Sequence, residues 1–548
     1  MAVVVKKTPP AQPPGPPRHR KSAQAATVTA VPTGVRSVPA PPPLILPTPP
    51  LDSEKYAYIR RRSWILTACS LVAFPPLVVY QILLLHREHW FLFFSPFVAC
   101  VILMFMLPLL TDGLSRGFDL QEHRRLIEAW HPLWYPSVDV FLPVCGEPVE
   151  VLRNTWQHVA EMAKSYHGPI TVWVLDDSAS PALKAMAREF SFAYATRPNR
   201  GWYKKSGNLL YGYLISKGEF ILLLDADFAP RPDLLAETLP YMQAYPRAGI
   251  VQTPQFFRVT DDQSWVERGA GAVQEVFYRS IQTARTRKRG AICVGSCAIY
   301  RRRALDENKG MSLSDHSEDV RTGFDLQRLG WQLLYIPIAL STGTCPDNVF
   351  AFMNQQYRWC CGTLTLIGRK SFWRARVPLY ARMCYLSGFV YYVYTAIINF
   401  AVPALSICIL IFIPNMLQIR NMVFFIPVLI YSGLVYPMWH RSPFRLEAYA
   451  VRVVSGWAHI FAYWDLLFGH RQVWEPSGAS AVKQGGQRRL WAGLIGWSGL
   501  SAVAWVGLAF WRLITMDPAN LLMLFALGLF ELCVISRVLI HPRAGSPT

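Results

Sequence analysis

Phe220-Ile221-Leu222-Leu223-Leu224-Asp225-Ala226-Asp227 is the stretch on which the reading of this 548-residue chain turns. Its continuous apolar run predicts a strand buried on both faces, because such a strand has no solvent face to carry alternating polar residues. The run stops at two carboxylates placed at i and i+2. Beyond a strand end that spacing lets both reach one hard cation, and Mg²⁺ or Mn²⁺ prefers such oxygen ligands and accepts diphosphate oxygens in its remaining positions. Alone, Asp-x-Asp is as readily a turn. Its weight comes from the segments around it.

Two earlier apolar runs end the same way. Val138 to Val144 leads into Cys145-Gly146-Glu147-Pro148, and Ile170 to Leu175 into Asp176-Asp177-Ser178. Helical spacing over Val149 to Ala163, and a second helix after Pro181, give strand–helix alternation and hence a parallel-type sheet with a ligand crevice at its carboxyl edge. Asp176-Asp177 alone could equally cap a helix. Lys205-Ser206-Gly207-Asn208 precedes a helix expected over Leu209 to Ser216, offering an ammonium and backbone amides to a phosphate. Gly295-Ser296, after an expected strand Ala291 to Val294, suggests a tight strand end that a ligand approaches closely. Ser317-Glu318-Asp319 opens an expected helix, Val320 to Leu329, where carboxylates also suit the helix dipole. In Gln355-Gln356-Tyr357-Arg358-Trp359, the guanidinium can pair with a diphosphate and the indole can stack under a sugar, although an interfacial Arg-Trp anchor has the same composition.

The remainder of the chain is membrane-like. Hydrophobic residues make up 52% and charged residues only 16% of the sequence, too apolar for an ordinary soluble protein. About six stretches approach the ~20 apolar residues that cross a bilayer: Trp64 to Leu85, Trp90 to Leu110, Met383 to Ile413, Met422 to Trp439, Leu490 to Ile514 and Leu521 to Ile540. Pro75, Pro76 and Pro403 fall inside spans. Arg60 to Arg62, Arg124-Arg125, Arg441 with Arg445, Arg488-Arg489 and Arg543 fall on one side, which makes the central domain and both termini cytosolic. The net charge of +20 is therefore positive-inside patterning and excludes a nucleic-acid footprint. Eleven Cys without CxxC pairs or zinc spacing read as reduced thiols. The expected organisation is a disordered Pro-rich tail over 1–52, two spans over 63–111, a soluble α/β domain over 112–382, two spans over 383–440, an interfacial amphipathic helix and loop over 443–482, and two spans over 488–541.

In order and at domain-scale spacing, these motifs resemble processive glycosyltransferases of family 2, most closely the catalytic subunit of bacterial cellulose synthase. The family's D-D, D-x-D, T-E-D and Q-x-x-R-W correspond to Asp176-Asp177, Asp225-Ala226-Asp227, Ser317-Glu318-Asp319 and Gln355 with Arg358-Trp359. The resemblance covers about Val138 to Trp359 and the flanking spans. It implies a Rossmann-like GT-A domain inserted between transmembrane helices of the bacterial inner membrane, a UDP-sugar donor, and Mg²⁺ (or Mn²⁺) on Asp225 and Asp227. It implies Asp319, with Glu318 beside it, as the base that takes the acceptor hydroxyl proton during an inverting transfer. Glu147, Asp176, Asp177, Lys205, Asp225 and Arg358 would bind the nucleotide donor, and Gly295, Ser296, Gln355 and Trp359 the acceptor. Lys205 looks like the lysine of the family's K-A-G-N, Val294-Gly295-Ser296 like its C-G-S loop, and Phe468 to Ser480 occupies the place of its gating loop.

Departures are Ser317 for Thr, Val294 for Cys, and Cys145-Gly146-Glu147-Pro148 where the family often has Tyr-Asn-Glu-Pro. The few residues after the last span leave no room for a cyclic di-GMP-binding PilZ domain. The expected activity is polymerisation of a sugar, UDP-glucose before UDP-N-acetylglucosamine, into a β-glucan passed through a channel of the chain's own helices. Tyr391, Tyr392, Tyr394, Trp359, Trp457 and Trp464 are candidate stackers on that glycan. Partners would be the growing polysaccharide, the lipid bilayer and a periplasmic subunit, and not nucleic acid. Two other readings stand beside it: single transfer of a sugar to a lipid carrier, and a non-enzymatic membrane scaffold, which the intact carboxylates disfavour.

Overall fold

The structure, a computed structural model, describes residues 45–59, 62–113, 117–286, 289–470 and 484–540. Nine strands are described: β1 (Val138–Val144), β2 (Ile170–Asp176), β3 (Ala193–Ala195), β4 (Phe220–Leu223), β5 (Ala229–Pro230), β6 (Ala248–Gln252), β7 (Ala298–Arg301), β8 (Gln332–Tyr335) and β9 (Ser341–Thr342). Seven form one sheet in the order β3-β2-β1-β4-β7-β6-β8, and β5 pairs with β9. Neighbours are parallel except at β7, which runs antiparallel to both β4 and β6. The register sets the site. Val144 lies opposite Asp176 and Phe141 opposite Leu223, so β1, β2 and β4 end at a common edge. Because Ala298 pairs with Leu223, the reversed β7 begins at that same edge.

The apolar runs form strands because they are covered on both sides: every residue of β1 and of β4 is buried. The expected helices appear as Val149–Ser165 and Pro181–Glu189. The helix carrying Lys205 starts earlier than expected, at Lys204, so Lys-Ser-Gly-Asn forms its first turn. Residues 291–297, expected to begin as a strand, are irregular, and the strand follows them as β7. Glycine and serine there leave room for the edge to approach neighbouring side chains.

Five described helices are long and apolar enough to cross a membrane: Ser63–Arg87, Phe91–Asp112, Leu379–Phe412, Gly486–Thr515 and Leu522–Ile540. At the remaining expected span, Met422–Trp439, only a shorter apolar helix, Ile426–Trp439, is found. Pro427 and Pro437 begin its two α-helical pieces, and a π-helical stretch, Tyr431–Val435, joins them. Leu446–Phe468, expected to be interfacial, is one continuous helix packed against Val349–Ile367, Leu379–Phe412 and Trp265–Val276.

Of the expected Pro-rich tail, residues 1–44 lie outside the described residues, as do 471–483 of the expected gating-loop region. Residues just after 44 are strapped to the α/β domain. Arg258 holds Glu54 through both nitrogens at 2.8 and 2.6 Å, Arg231 donates to the Pro50 carbonyl, and Lys55 bridges Asp233 and Glu237.

Candidate active site

Four segments meet at the common sheet edge: the turns after β1, β2 and β4, and the loop before β7. Asp225 and Asp227 follow β4. Lys205 Nζ lies 2.5 Å from Asp225 Oδ1 and 3.5 Å from Glu318 Oε1. The Asp225 backbone N–H donates to Ser296 Oγ at 3.0 Å, a contact that the antiparallel β7 makes possible. Asp227 accepts from Thr344 Oγ1 at 2.7 Å, and burial together with the nearby Asp225 charge pushes its carboxyl up to about 6. Glu147 accepts the Cys145 N–H at 2.6 Å. Burial, with smaller contributions from Asp227 and Asp225, holds the Glu147 carboxyl above the ordinary range. Glu147, Asp225 and Asp227 thus share one field.

The adjacent aspartates after β2 have separate employments. Asp176 is fully buried, and its oxygens accept from the Ser178 N–H and Oγ, the Ser180 N–H and Tyr194 Oη at 2.6–2.9 Å. Four donors fill a carboxylate's lone pairs, so Asp176 shapes the turn and has no capacity left for a ligand. Asp177 is gripped by Arg197, with Nε and Nη2 both at 2.6 Å. The same buried guanidinium donates to the carbonyls of Trp202, at 2.5 Å, and Lys204, at 3.0 Å. It therefore staples the 197–204 loop to the end of β2. Tyr203 and Lys204 in that loop have φ of 47° and 49°, left-handed values that cost energy for residues with a Cβ. Gly207 is required by proximity: a Cβ there would lie 2.1 Å from the Trp202 carbonyl oxygen and 2.4 Å from Arg197 Nη1.

Glu318 and Asp319 open the helix Glu318–Arg328. Burial, then Glu318, pushes the Asp319 carboxyl up to about 7, against the opposing pull of Lys205. Gly295, with φ of +81°, lies against it, and a Cβ there would sit 2.8 Å from Asp319 Oδ2. Arg358 lies on the helix Val349–Ile367, with Glu318 and Asp225 as its acidic neighbours, and burial lowers its proton affinity. Gln355 and Trp359 are half-buried on the same helix, and Gln355 Oε1 is buried without a hydrogen-bond partner. This helix approaches the Ser317 turn through Gly362, where a Cβ would lie 2.0 Å from Ser317 Oγ.

Glu147, Lys205, Asp225, Asp227, Gly295, Ser296, Glu318, Asp319 and Arg358 are thus brought together at one sheet edge, with Asp177 at the neighbouring end of β2. Sequence reasoning missed Arg197, Thr344, Gly207 as a packing residue, and the Ser317–Gly362 contact. Only Gly207 carried a local signal, its place inside Lys-Ser-Gly-Asn.

Among the candidate glycan stackers, Trp457 is buried against Phe400 and Phe461 and donates to Ser498 Oγ at 3.0 Å, a packing role. Trp464 is half exposed beside Phe468. Tyr391 and Tyr392 flank His459, with ring centroids 6.2 and 4.8 Å away. Nearby, Arg452 is exposed and lies over the rings of Tyr436 and Phe444 at 5.1 and 5.3 Å, with Tyr391, Tyr394 and Tyr449 in its neighbourhood. Three helices, Leu379–Phe412, Ile426–Trp439 and Leu446–Phe468, therefore bring tyrosines around one guanidinium.

Residues 220–471 match the family described as glycosyl transferase family group 2, which places β4, both acidic motifs and the Arg358 helix in one domain of that family. The matched segment, slightly under half of the chain, is thus similar to family 2 glycosyltransferases, and apolar helices long enough to cross a membrane lie before, within and after it. It is 28% identical over 353 residues to cellulose synthase 1 of Komagataeibacter xylinus, covering 62% of this chain and 21% of that protein. It is 28% identical over 272 residues to the UDP-forming cellulose synthase catalytic subunit of Xanthomonas axonopodis pv. citri, covering 48% and 36%. The chain spans well under half the length of these two relatives, to which it is similar. A mannosyltransferase from Pyrobaculum calidifontis, solved with GDP-Man and Mn²⁺, aligns at a TM-score of 0.47 and 15% identity over 68% of this chain and 99% of its own.

Proposed function

We propose that this chain is a multi-pass inner-membrane synthase that transfers glucose from UDP-glucose, with inversion, to the end of a growing β-glucan and passes the product into the space between its own helices. The observation that carries the reading is the meeting of Asp225-Ala226-Asp227 and Ser317-Glu318-Asp319, both inside the family match, with Lys205, which precedes it, at one sheet edge. The catalytic domain and both termini would face the cytosol, as the basic residues suggest. A periplasmic partner that receives the polymer belongs to the same proposal.

The donor set fits a divalent metal. Asp225 and Asp227 offer carboxylate oxygens in a shared negative field, and no group of three or more His, Cys, Asp or Glu able to hold an ion occurs among the described residues. Two protein oxygens suit an ion that takes its other ligands from a diphosphate. Bound there, Mg²⁺ or Mn²⁺ would neutralise charge on the departing nucleotide. Lys205 and Arg358 hold positive charge on the same side. Glu147 and Asp177, the latter fixed by Arg197, border the crevice where the nucleoside would sit.

Asp319 acts on the acceptor. As the acceptor oxygen bonds to C1 of glucose from the face opposite the nucleotide, the C1–O bond to UDP breaks, its electron pair leaves with UDP, and the hydroxyl proton passes to Asp319. A carboxyl pushed up to about 7 is well matched to that exchange near neutral pH. Gly295 and Ser296 leave space against Asp319, and Gln355 and Trp359 would receive the acceptor sugar. Arg452 and its tyrosines support continuation of the glycan into the bundle, which transfer to a lipid carrier would not need.

The test is synthesis by purified protein in nanodiscs with Mg²⁺ and radiolabelled UDP-sugars, each in turn. High-molecular-weight product from UDP-glucose that an endo-β-1,4-glucanase degrades is expected. A short lipid-extractable product would replace the proposal with the single-transfer reading.

A further inference from the structure

The Lys205 ammonium stands where a divalent ion would have to bind. It contacts Asp225 Oδ1 at 2.5 Å and Glu318 Oε1 at 3.5 Å, and Asp319 adds to the field that keeps it charged. Its backbone is held. Arg197 takes the carbonyls of Trp202 and Lys204, Lys204 is left-handed, and Gly207 packs against both the Trp202 carbonyl and Arg197. Any withdrawal of the charge must therefore come from rotation of the lysine side chain alone. The second carboxylate of the pair, Asp227, is engaged by Thr344.

We propose that Lys205 is an internal counter-ion that bars the empty donor site to a free divalent cation and yields only to one arriving with a diphosphate. The proposal rests on Asp225 and Asp227 being the metal carboxylates. An ion on Asp225 would lie within about 4 Å of the ammonium, where like charges repel strongly even in a moderately polar site. A diphosphate removes the conflict, because its oxygens accept both the ion and the ammonium, and Lys205 shifts from Asp225 to phosphate. By linkage, the metal must then tighten the nucleotide by the same factor as the nucleotide tightens the metal. When UDP leaves after transfer, Lys205 returns to Asp225 and ejects the metal, resetting the site for the next donor.

The experiment is a Mn²⁺ titration of the full chain in nanodiscs, following the electron paramagnetic resonance signal of the free ion, without nucleotide, with UDP and with UMP. Wild type should bind Mn²⁺ on the order of a hundredfold more tightly with UDP, and far less so with UMP, which lacks the diphosphate. Lys205→Met should bind Mn²⁺ alone roughly tenfold or more tighter than wild type and lose a corresponding part of the UDP effect. Lys205→Arg, which keeps the charge, should hold Mn²⁺ alone no more tightly than wild type. Equal Mn²⁺ affinity of wild type with and without UDP overturns the proposal without recourse to any variant. So does a Lys205→Met protein that still binds UDP but holds Mn²⁺ alone no better than wild type. Asp225→Asn tests the parent reading separately: if it keeps Mn²⁺ binding in the presence of UDP, the metal lies elsewhere.

Discussion

Gly362→Ala puts one methyl group between the helix Val349–Ile367 and the Ser317-Glu318-Asp319 turn. Its Cβ would lie 2.0 Å from Ser317 Oγ and 2.4 Å from Ser317 Cβ. Ordinary contact needs about 3.5 Å, so helix and turn must part by roughly 1.5 Å. Such overpacking costs about 1–3 kcal/mol of stability. The larger effect is on geometry, because Glu318 and Asp319 directly follow Ser317 while Arg358 and Trp359 lie one turn before Gly362. A displacement of about 1 Å between catalytic groups can cost about a hundredfold in rate. Turnover of UDP-glucose in nanodiscs should fall by about that factor, with UDP affinity changed only a fewfold and the melting temperature lowered by a few degrees. Ser317→Gly removes both obstructing atoms, so the double variant should recover most of the loss, a coupling that a double-mutant cycle measures. A Gly362→Ala enzyme with wild-type turnover, or a double variant no better than the single one, would refute the argument that this contact sets the position of the base.

The carboxyl of Asp319, at about 7, gives two pH predictions. Because the base must be ionised, kcat/KM of wild type should rise with pH through about 7, and a profile already flat from pH 5 would remove Asp319 from that role. The folded state binds this proton more tightly than the unfolded chain, so the stability it contributes is complete below the ordinary carboxylate range and is lost as pH rises through about 7. Asp319→Asn should therefore lose transfer by about a thousandfold, keep UDP binding, and melt no lower than wild type at pH 8. Asp225→Asn should abolish turnover without full rescue by raised Mg²⁺, and normal turnover would sink the metal assignment. Arg197→Lys cannot serve Asp177 and two carbonyls together, so it should cost about 3 kcal/mol and raise KM for the nucleotide-sugar more than it lowers kcat. Unchanged KM would limit Arg197 to folding.

Patterns local in sequence were legible. The run Val138 to Val144 became a strand with those bounds, and the acidic residues after each run reached the common edge, because a parallel strand delivers whatever follows it to the carboxyl end. What depended on distant approach was not legible. Asp176 and Asp177 look alike as a pair, yet one is saturated by its own turn and the other is held by Arg197, twenty residues on. The strand expected over Ala291 to Val294 begins only at Ala298, after Gly295, whose φ of +81° lies outside strand geometry. The segment expected as a span over Met422 to Trp439 is a helix only over Ile426–Trp439, because hydropathy counts apolar residues and does not read where Pro427 lets the helix begin.

The contacts of the helix Val349–Ile367 also explain why this active site belongs on a membrane protein. Through Gly362 the helix sets Ser317, and with it Asp319, while through Tyr357 it donates to Asp465 at 3.0 Å on the helix Leu446–Phe468. Asp465, almost wholly buried, also pairs with Arg489 at 2.9 Å, on the far side of the segment expected to gate the donor site. The two helices are thus tied to one carboxylate, and that carboxylate to the helix that packs against the Ser317 turn. A buried pair of this kind loses several kcal/mol when one member is removed, so the two helices resist moving independently. Any change that displaces Asp465 or Arg489 must act on the helix carrying Arg358 and Trp359. The chemistry and the membrane helices are coupled by packed side chains, not by the chain connection alone.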